Sequence, residues 1–177
     1  MAAGKTKGPD AAPTLGAERE VVITRVFDAP RELVWDAWTD PEQIVKWWGP
    51  YGFTLTVDEM DVRPGGVWKS TMHGPDGTEY RNDCVFTEVI KPQRIVYKLT
   101  PGRKHNRAAQ EPETVEASWV FEAQGKKTKA TLRMLFPTAE ARDRFVREYK
   151  AVEGGNETLD RLREHLANQV RTGAAEE

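Results

Sequence analysis

The chain has little of several features that would assign a protein to a class by composition alone. Its single cysteine, Cys84, excludes an internal disulfide and a metal site built of cysteines only. No run of about 18 apolar residues could span a membrane, and the first residues lack the apolar segment of a signal peptide. The formal net charge is −2, without the basic excess typical of nucleic-acid-binding domains. We therefore expect a cytoplasmic protein without a membrane span or a nucleic-acid partner.

Histidines are also few, and their spacing gives no metal-ligand pattern. Strand alternation places His73 on the face opposite Trp68 and Met72. His105 lies in a polar loop, and we expect His165 on the solvent side of a helix. Surface histidines are the favoured interpretation, and neither a metal nor a cofactor is predicted.

Two further candidates for chemistry have plainer explanations. Cys84 lies in the middle of a strand where no neighbour would lower its pKa, so a small buried residue is favoured over a nucleophile. Asp58, Glu59 and Asp61 alternate between the faces of a strand, which favours solvation of a strand edge over a paired-carboxylate site. The absence of a catalytic pattern favours a protein that is not an enzyme.

The abundant signal is β-strand alternation, framed by helices. A strand at 21–27 precedes two short helices at 31–39 and 41–47, each preceded or begun by a proline. Six more strands and two helices follow, at 53–62, 67–73, 78–90, 94–100, 114–122, 128–136, 139–152 and 156–170. Gly154-Gly155 is expected to separate the last two helices. Residues 1–17 and 172–177 are expected to be disordered tails around a single domain at 18–171.

Consecutive strands joined by turns predict an antiparallel sheet, and its apolar face needs a cover. The terminal amphipathic helix, with Leu159, Leu162, Leu166 and Val170 as one stripe, is the long element that can supply it. The prediction is an α+β fold in which a curved antiparallel sheet of six to seven strands wraps around a long C-terminal helix. A strongly bent sheet leaves a cavity beside that helix.

Three stretches resemble a known family. "RVFDAPRELVWDAWTDPEQIVKWWGP" (25–50), "RPGGVWKSTMHGPDGTEY" (63–80) and "GGNETLDRLREHL" (154–166) are similar to the opening, the central hairpin and the start of the terminal helix of the helix-grip (START-like, SRPBCC) superfamily. The branch they most resemble contains the activator of the heat-shock protein 90 ATPase and calicheamicin-resistance-like proteins. The resemblance covers about residues 19–170 and implies the helix-grip fold, with binding of apolar or aromatic small molecules in the cavity.

Two departures from this family affect what can be carried over. Gly155 occupies a position where the family usually has tryptophan, which would enlarge the cavity or loosen the start of the helix. The eukaryotic co-chaperone of this branch has an additional domain for chaperone contact that we do not expect here. The resemblance therefore gives no support to contact with a chaperone, and the sequence leaves a homodimer open.

Large inward-facing side chains supply the expected ligand site. The predicted cavity residues are Trp38, Trp47, Trp48, Phe53, Trp68, Met72, Tyr80, Asn82, Phe86, Tyr97, Trp119, Met134, Phe136, Gly155, Leu159 and Leu162. Pockets lined by aromatic residues with a few polar groups are common ligand sites. The polar groups among them, on Tyr80, Asn82, Tyr97 and Trp119, must be satisfied by protein neighbours, by water or by a ligand.

Three functions remain open on these residues. The favoured one is binding, carriage or sequestration of a hydrophobic or aromatic small molecule. The second is an enzyme of the cyclase, dehydratase or hydrolase type that uses Tyr80 or Asn82. The third is a stress-related, co-chaperone-like interaction protein, although the outward faces show no obvious docking patch.

The stretch "KWWGPYGF" (46–53) contains two adjacent tryptophans, which cannot both face one core. Trp48 follows Ile44 by four residues and is expected on the apolar stripe of the helix, in the core or the cavity. Trp47 is offset by about 100°. We expect it at the rim of the cavity, as part of a lid.

Overall fold

A computed structural model describes residues 17–100 and 114–175. The polar loop expected at 101–113, with His105, lies outside the described residues, as do residues 1–16 and 176–177. Ala17, expected in the N-terminal tail, begins a single turn of 3-10 helix at Ala17–Arg19.

The described elements follow the expected order closely. Strand β1 spans Glu20–Phe27, and the short helices α1 and α2 span Arg31–Thr39 and Pro41–Ile44. The next six strands are β2 Thr54–Met60, β3 Val67–His73, β4 Glu79–Ile90, β5 Arg94–Thr100, β6 Val115–Gln124 and β7 Lys127–Leu135. Helices α3 and α4 span Ala139–Tyr149 and Ala151–Ala175.

The strands form one antiparallel sheet in the order β1-β7-β6-β5-β4-β3-β2. From β2 to β7, each strand pairs with the next one in the chain, and a tight turn at Gly77 connects β3 with β4. Strand β1 pairs with β7 and forms the edge of the sheet opposite β2. Register shifts after Val57 and after Phe86 interrupt the pairing, and irregularities of this kind bend strands. The architecture confirms the expected α+β helix-grip fold, with two short helices after the first strand and a long C-terminal helix.

Side-chain caps explain two of the helix starts. The Asp40 carboxylate accepts a hydrogen bond from the backbone N–H of Glu42 at 2.9 Å, and Pro41 follows at the first helical position. Thr138 Oγ1 accepts one from the backbone N–H of Ala141 at 3.0 Å. Both helices begin at the positions that the sequence predicts, residues 41 and 139.

The core fills one end of the concave side of the sheet. Trp38 of α1 is completely buried, and its ring centroid lies 5.3–6.1 Å from those of Trp48, Trp68, Phe86, Tyr97 and Trp119. Helix α4 adds Leu159, Leu162 and Leu166, which are all buried. Because α1 and α4 occupy this end, the space left under the sheet lies at the other end, beside α3 and the first turns of α4.

The helix boundary near the C-terminus corrects the sequence prediction. Helix α4 runs unbroken through Gly154 and Gly155, and the chain instead breaks at Lys150, which has φ 47° and ψ 50°. Helix α4 also continues to Ala175, so residues 172–175, expected in the tail, are helical. Thr172 Oγ1 donates to the carbonyl of Asn168 at 2.8 Å in this last part.

Two smaller expectations on the helices were also wrong. Helix α2 ends at Ile44 rather than near Trp47, and residues 45–47 form a turn. Val170, expected in the apolar stripe of α4, is 41% exposed, whereas Leu166, one turn earlier in the stripe, is buried.

Candidate functional site

A cavity of about 180 Å³ lies between the concave face of the sheet, the end of α3 and the first turns of α4. The segment containing Gly49 and Pro50 closes one side of it. The lining residues are Ile23, Trp48, Gly49, Pro50, Trp68, Met72, Tyr80, Asn82, Cys84, Tyr97, Leu99, Trp119, Leu132, Met134, Phe145, Tyr149, Ala151, Gly154, Gly155 and Thr158. The lining is thus mostly aromatic and aliphatic.

The structure brings about half of the sequence-predicted cavity residues together in this lining. These are Trp48, Trp68, Met72, Tyr80, Asn82, Tyr97, Trp119, Met134 and Gly155. The others lie outside the lining: Trp38, Trp47, Phe86, Phe136, Leu159 and Leu162 are buried in the core, and Phe53 is half-buried, 6.1 Å from Tyr80 between ring centroids. Inward orientation therefore did not distinguish residues beside the cavity from residues in the filled end of the sheet.

Of the two adjacent tryptophans, Trp48 lies at the cavity as expected, whereas Trp47 does not lie at its rim. Trp47 is completely buried, and its Nε1 donates a hydrogen bond to the carbonyl of Ala37 in α1 at 3.0 Å. Trp48 is half-buried and lines the cavity. The expected rim position of Trp47 was wrong because the helix ends at Ile44, after which helical spacing no longer predicts direction.

Several lining residues were not assigned to the cavity from the sequence. Leu99 and Leu132 lie two residues from Tyr97 and Met134, on the same faces of β5 and β7, and they also meet the cavity. Phe145 and Tyr149 lie four residues apart on one face of α3, and the sequence gives no indication of what that face covers. Their rings pack together, with centroids 4.9 Å apart.

The partly exposed part of the lining marks where the cavity meets solvent. Tyr80, Tyr149, Ala151 and Gly154 are half-buried, and Tyr80 and Tyr149 meet edge to face with centroids 6.2 Å apart. On the other side, a Cβ at Gly154 would lie 3.2 Å from Pro50 Cγ. The mouth thus lies between strand β4, the α3–α4 junction and the segment around Pro50.

Gly155 lets β1 approach α4 closely. A Cβ built on Gly155 would lie 2.5 Å from Cδ1 of Ile23, too close without movement of that side chain. Ile23 therefore occupies the space beside the glycine, and both residues line the cavity. The expected loosening of the helix is absent here, since α4 is continuous through this position.

Arg161 holds the segment that closes the cavity. From α4, its guanidinium donates hydrogen bonds to backbone carbonyls of Lys46, Trp48, Gly49, Pro50 and Phe53, at 2.9–3.4 Å. One planar group with five N–H donors can serve several acceptors at once. The chain around Trp48 and Pro50 is therefore tied directly to the long helix.

The polar groups of the lining are only partly satisfied by protein. Trp119 Nε1 donates to the Tyr97 hydroxyl at 3.4 Å, which is protein pairing of the kind considered from the sequence. Thr158 Oγ1 donates to the carbonyl of Gly154 at 2.7 Å. The Asn82 side chain, in contrast, makes no hydrogen bond to any residue that the structure describes.

The lining is electrically neutral over the described residues, because none of its side chains is acidic, basic or a histidine. Burial, and secondarily the charge of Asp83, raises the pKa of the Cys84 thiol to about 12. Burial likewise raises the pKa of Tyr97, with Cys84 as a smaller cause. Both groups therefore stay protonated near neutral pH.

The other candidates from the sequence lie away from the cavity. His73 is on the outer face of β3, with Nε2 2.8 Å from Thr56 Oγ1. Glu59 and Asp61 pair with Lys69 and Arg63 at 3.5 and 2.6 Å, as surface carboxylates do. Within residues 17–100 and 114–175, no cluster of His, Cys, Asp and Glu could hold a metal ion.

His165 corrects another expectation. It is 8% exposed rather than on the solvent side of α4, and its Nε2 lies 3.0 Å from Oε1 of Gln43. Gln43 of α2 contacts this residue of α4, which the periodicity of α4 alone did not show. Burial, with a smaller contribution from the charge of Lys46, lowers the pKa of His165.

The fold and cavity define a helix-grip protein, and comparison with known proteins identifies the family. The chain belongs to the family described as "Activator of Hsp90 ATPase homolog 1-like protein", whose model matches residues 28–167. No curated protein matches the chain significantly. In the described part of the chain, no helix is long and apolar enough to cross a membrane.

Solved structures of the same fold come from several bacteria. The chain is 28% identical to protein Ms6760 from Mycobacterium smegmatis, with a TM-score of 0.75 over 85% of this chain and 92% of that one. It is 25% identical to a protein from Arthrobacter aurescens, with a TM-score of 0.79 over 90% and 92%. A third, protein NE0264 from Nitrosomonas europaea, is 24% identical, with a TM-score of 0.73 over 89% and 99%, and shows likeness of fold alone.

Proposed function

We propose that this protein binds a small apolar or aromatic molecule in the cavity between the sheet and α4. The observation that carries the proposal is the cavity itself, about 180 Å³ in volume and lined mainly by aromatic and aliphatic side chains. Protein interiors are normally close-packed, so a void of this size is not a packing remainder. Apolar lining with a few polar groups is the usual composition of small-molecule sites.

The volume limits the size of the ligand. An engineered apolar cavity of about 150 Å³ in another protein stays dry and binds benzene. A cavity of about 180 Å³ therefore suits one aromatic ring with a short substituent. Larger lipids or polycyclic compounds would extend through the mouth between Tyr80 and Tyr149.

The protonation states of the lining favour binding over catalysis. A general base needs a pKa near the working pH, and Cys84, with a pKa of about 12, does not meet this requirement. Burial raises the pKa of the Tyr97 hydroxyl as well, so it is also no general base near neutral pH. These observations do not favour catalysis through Tyr80 or Asn82. Contact with a chaperone has no support from them either, and both functions stay untested predictions.

A thermal-shift screen of small neutral aromatics and aliphatics tests the proposal. A ligand that binds only the folded protein stabilises it by about 2.7 kcal/mol at a concentration one hundred times its Kd. We expect saturable increases in Tm for single-ring compounds. A panel in which no compound raises Tm would contradict the proposal.

A matched pair of variants tells cavity binding from surface binding. Leu132 of β7 lines the cavity, and its neighbour Arg133 is exposed on the opposite face. We expect Leu132→Trp to abolish the ligand-induced rise in Tm and Arg133→Trp to keep it. Overfilling costs about 1–3 kcal/mol, so each shift is measured against the variant's own ligand-free Tm.

A further inference from the structure

The sheet wall of the cavity carries hydrogen-bonding groups that the protein itself does not use. Asn82 of β4 lies opposite Ser70 of β3 in the sheet register, and the next inward pair is Cys84 with Trp68. The Asn82 amide makes no hydrogen bond within the described residues. In that same range, Ser70 Oγ and Trp68 Nε1 are buried and without a partner.

Buried polar groups without partners are rare, and each one calls for a physical explanation. Ser70 and Trp68 are each 1% exposed, whereas Asn82 is half-buried and lines the cavity. Asn82 is therefore the member of this group that a molecule in the cavity can reach. Its amide offers two N–H donors and one carbonyl acceptor.

Donors outnumber acceptors among these unused groups. Trp68 Nε1–H is a donor only. The Tyr97 oxygen already accepts from Trp119, while its own proton has no acceptor among the described residues. Asn82 is the reachable group, and its two N–H donors outnumber its one carbonyl oxygen, so a ligand with an acceptor oxygen complements it.

The same wall excludes a charged ligand. No acidic, basic or histidine side chain lines the cavity over the described residues. An isolated ion buried without a counter-charge is strongly disfavoured. The described lining residues therefore favour a neutral ligand.

We propose that the ligand is a neutral single-ring aromatic compound with a carbonyl oxygen, and that the Asn82 amide donates a hydrogen bond to this oxygen. The inference rests on the proposed function, because it assigns the chemistry of the same cavity. The ring lies against the tryptophans of the deeper part of the cavity, and the carbonyl points toward β4. Asn82 is then a specificity-determining residue.

Three probes of similar shape separate these features. Acetophenone has the ring and the carbonyl, ethylbenzene has the ring without a polar group, and benzoate has the ring with a charge. Kd is measured for each by protein-detected NMR, with the wild-type protein and with Asn82→Leu, which keeps approximate volume and removes the amide. Asn168→Leu, at an exposed position of α4, is the control.

We expect Asn82→Leu to weaken acetophenone about tenfold, the loss typical of one hydrogen bond, and to leave ethylbenzene within about twofold. Asn168→Leu keeps the wild-type affinity for acetophenone within about the same factor. Benzoate shows no saturable binding. In wild-type protein, the side-chain NH₂ signals of Asn82 shift on addition of acetophenone and not of ethylbenzene, a result that does not depend on the folding of any variant.

Other outcomes contradict the inference at different levels. If both neutral probes bind but Asn82→Leu changes neither affinity, the carbonyl assignment is wrong and the proposed function stands. The assignment is also wrong if benzoate binds more tightly than acetophenone. If neither neutral probe binds, the proposed function fails together with the inference.

Discussion

At the scale of single residues, burial and hydrogen bonding separate side chains that the sequence treats alike. Trp47 and Trp48 are neighbours of identical type, yet Trp47 is fully buried and Trp48 is half-buried against the cavity. Trp47 is held by its hydrogen bond to the carbonyl of Ala37. Trp48 packs against Trp68, with ring centroids 4.9 Å apart, and leaves one side open to the cavity.

We expect Trp47→Ala to lower the free energy of unfolding by about 3–5 kcal/mol, as large core truncations do, because it leaves a void against α1. Trp48→Ala is expected to cost less and to enlarge the cavity, because part of its surface is already unpacked. Urea unfolding of the two variants measures the difference. An equal loss, or a larger loss for Trp48→Ala, would contradict these roles.

His165 gives the protein a dependence of stability on pH. Burial first and the charge of Lys46 second lower its pKa in the folded protein, so below its ordinary pKa of about 6.5 the unfolded chain binds more protons. Its contribution to stability is therefore complete above pH of about 6.5 and decreases as the pH falls toward the folded-state pKa.

We expect the stability of His165→Gln to fall less steeply than that of wild type between about pH 6.5 and 5, since glutamine does not titrate. Urea unfolding at several pH values measures both slopes. Identical slopes for the two proteins would show that His165 makes no such contribution.

At the scale of elements, local backbone chemistry decides where helices end. The sequence correctly predicts the order of the strands and the starts of both short helices, because β-branched alternation and prolines act locally. It misplaces the last helix break, because two glycines disfavour a helix interior by only about 1 kcal/mol each. Packing favours glycine here, since Cβ atoms at Gly154 and Gly155 would lie only 3.2 Å from Pro50 and 2.5 Å from Ile23.

The break at Lys150 is a strained position that glycine would relieve. Its φ of 47° lies in the left-handed region, which costs a residue with a side chain about 1–2 kcal/mol. We expect Lys150→Gly to raise the free energy of unfolding by about 1 kcal/mol, and Lys150→Ala, which removes the same charge, to give no such gain. Thermal unfolding compares the two variants. A gain of equal size for alanine would show that charge, and not backbone conformation, controls this position.

At the scale of the whole molecule, the sheet encloses more space than its helices fill. The sequence predicts the inward faces, because alternation assigns each residue to a face. It does not predict which inward residues meet the cavity, because that depends on how far α1 and α4 reach under the sheet. Trp38 and Phe86 lie at the filled end, whereas Asn82 and Met134 lie at the open end.

The six tryptophans make this arrangement directly measurable. Trp48, Trp68 and Trp119 line the cavity, and Trp35, Trp38 and Trp47 do not. Each indole N–H gives its own signal in a two-dimensional NMR spectrum of ¹⁵N-labelled protein. The three tryptophans outside the lining therefore serve as internal controls within a single sample.

Titration with ethylbenzene, followed through these six indole signals, tests ligand binding in the cavity most directly. The account predicts saturable shifts that are largest for Trp48, Trp68 and Trp119, smaller for Trp38 and Trp47, which touch them, and smallest for Trp35. Shifts that do not saturate, or that are equally large for all six tryptophans, would contradict binding in the cavity.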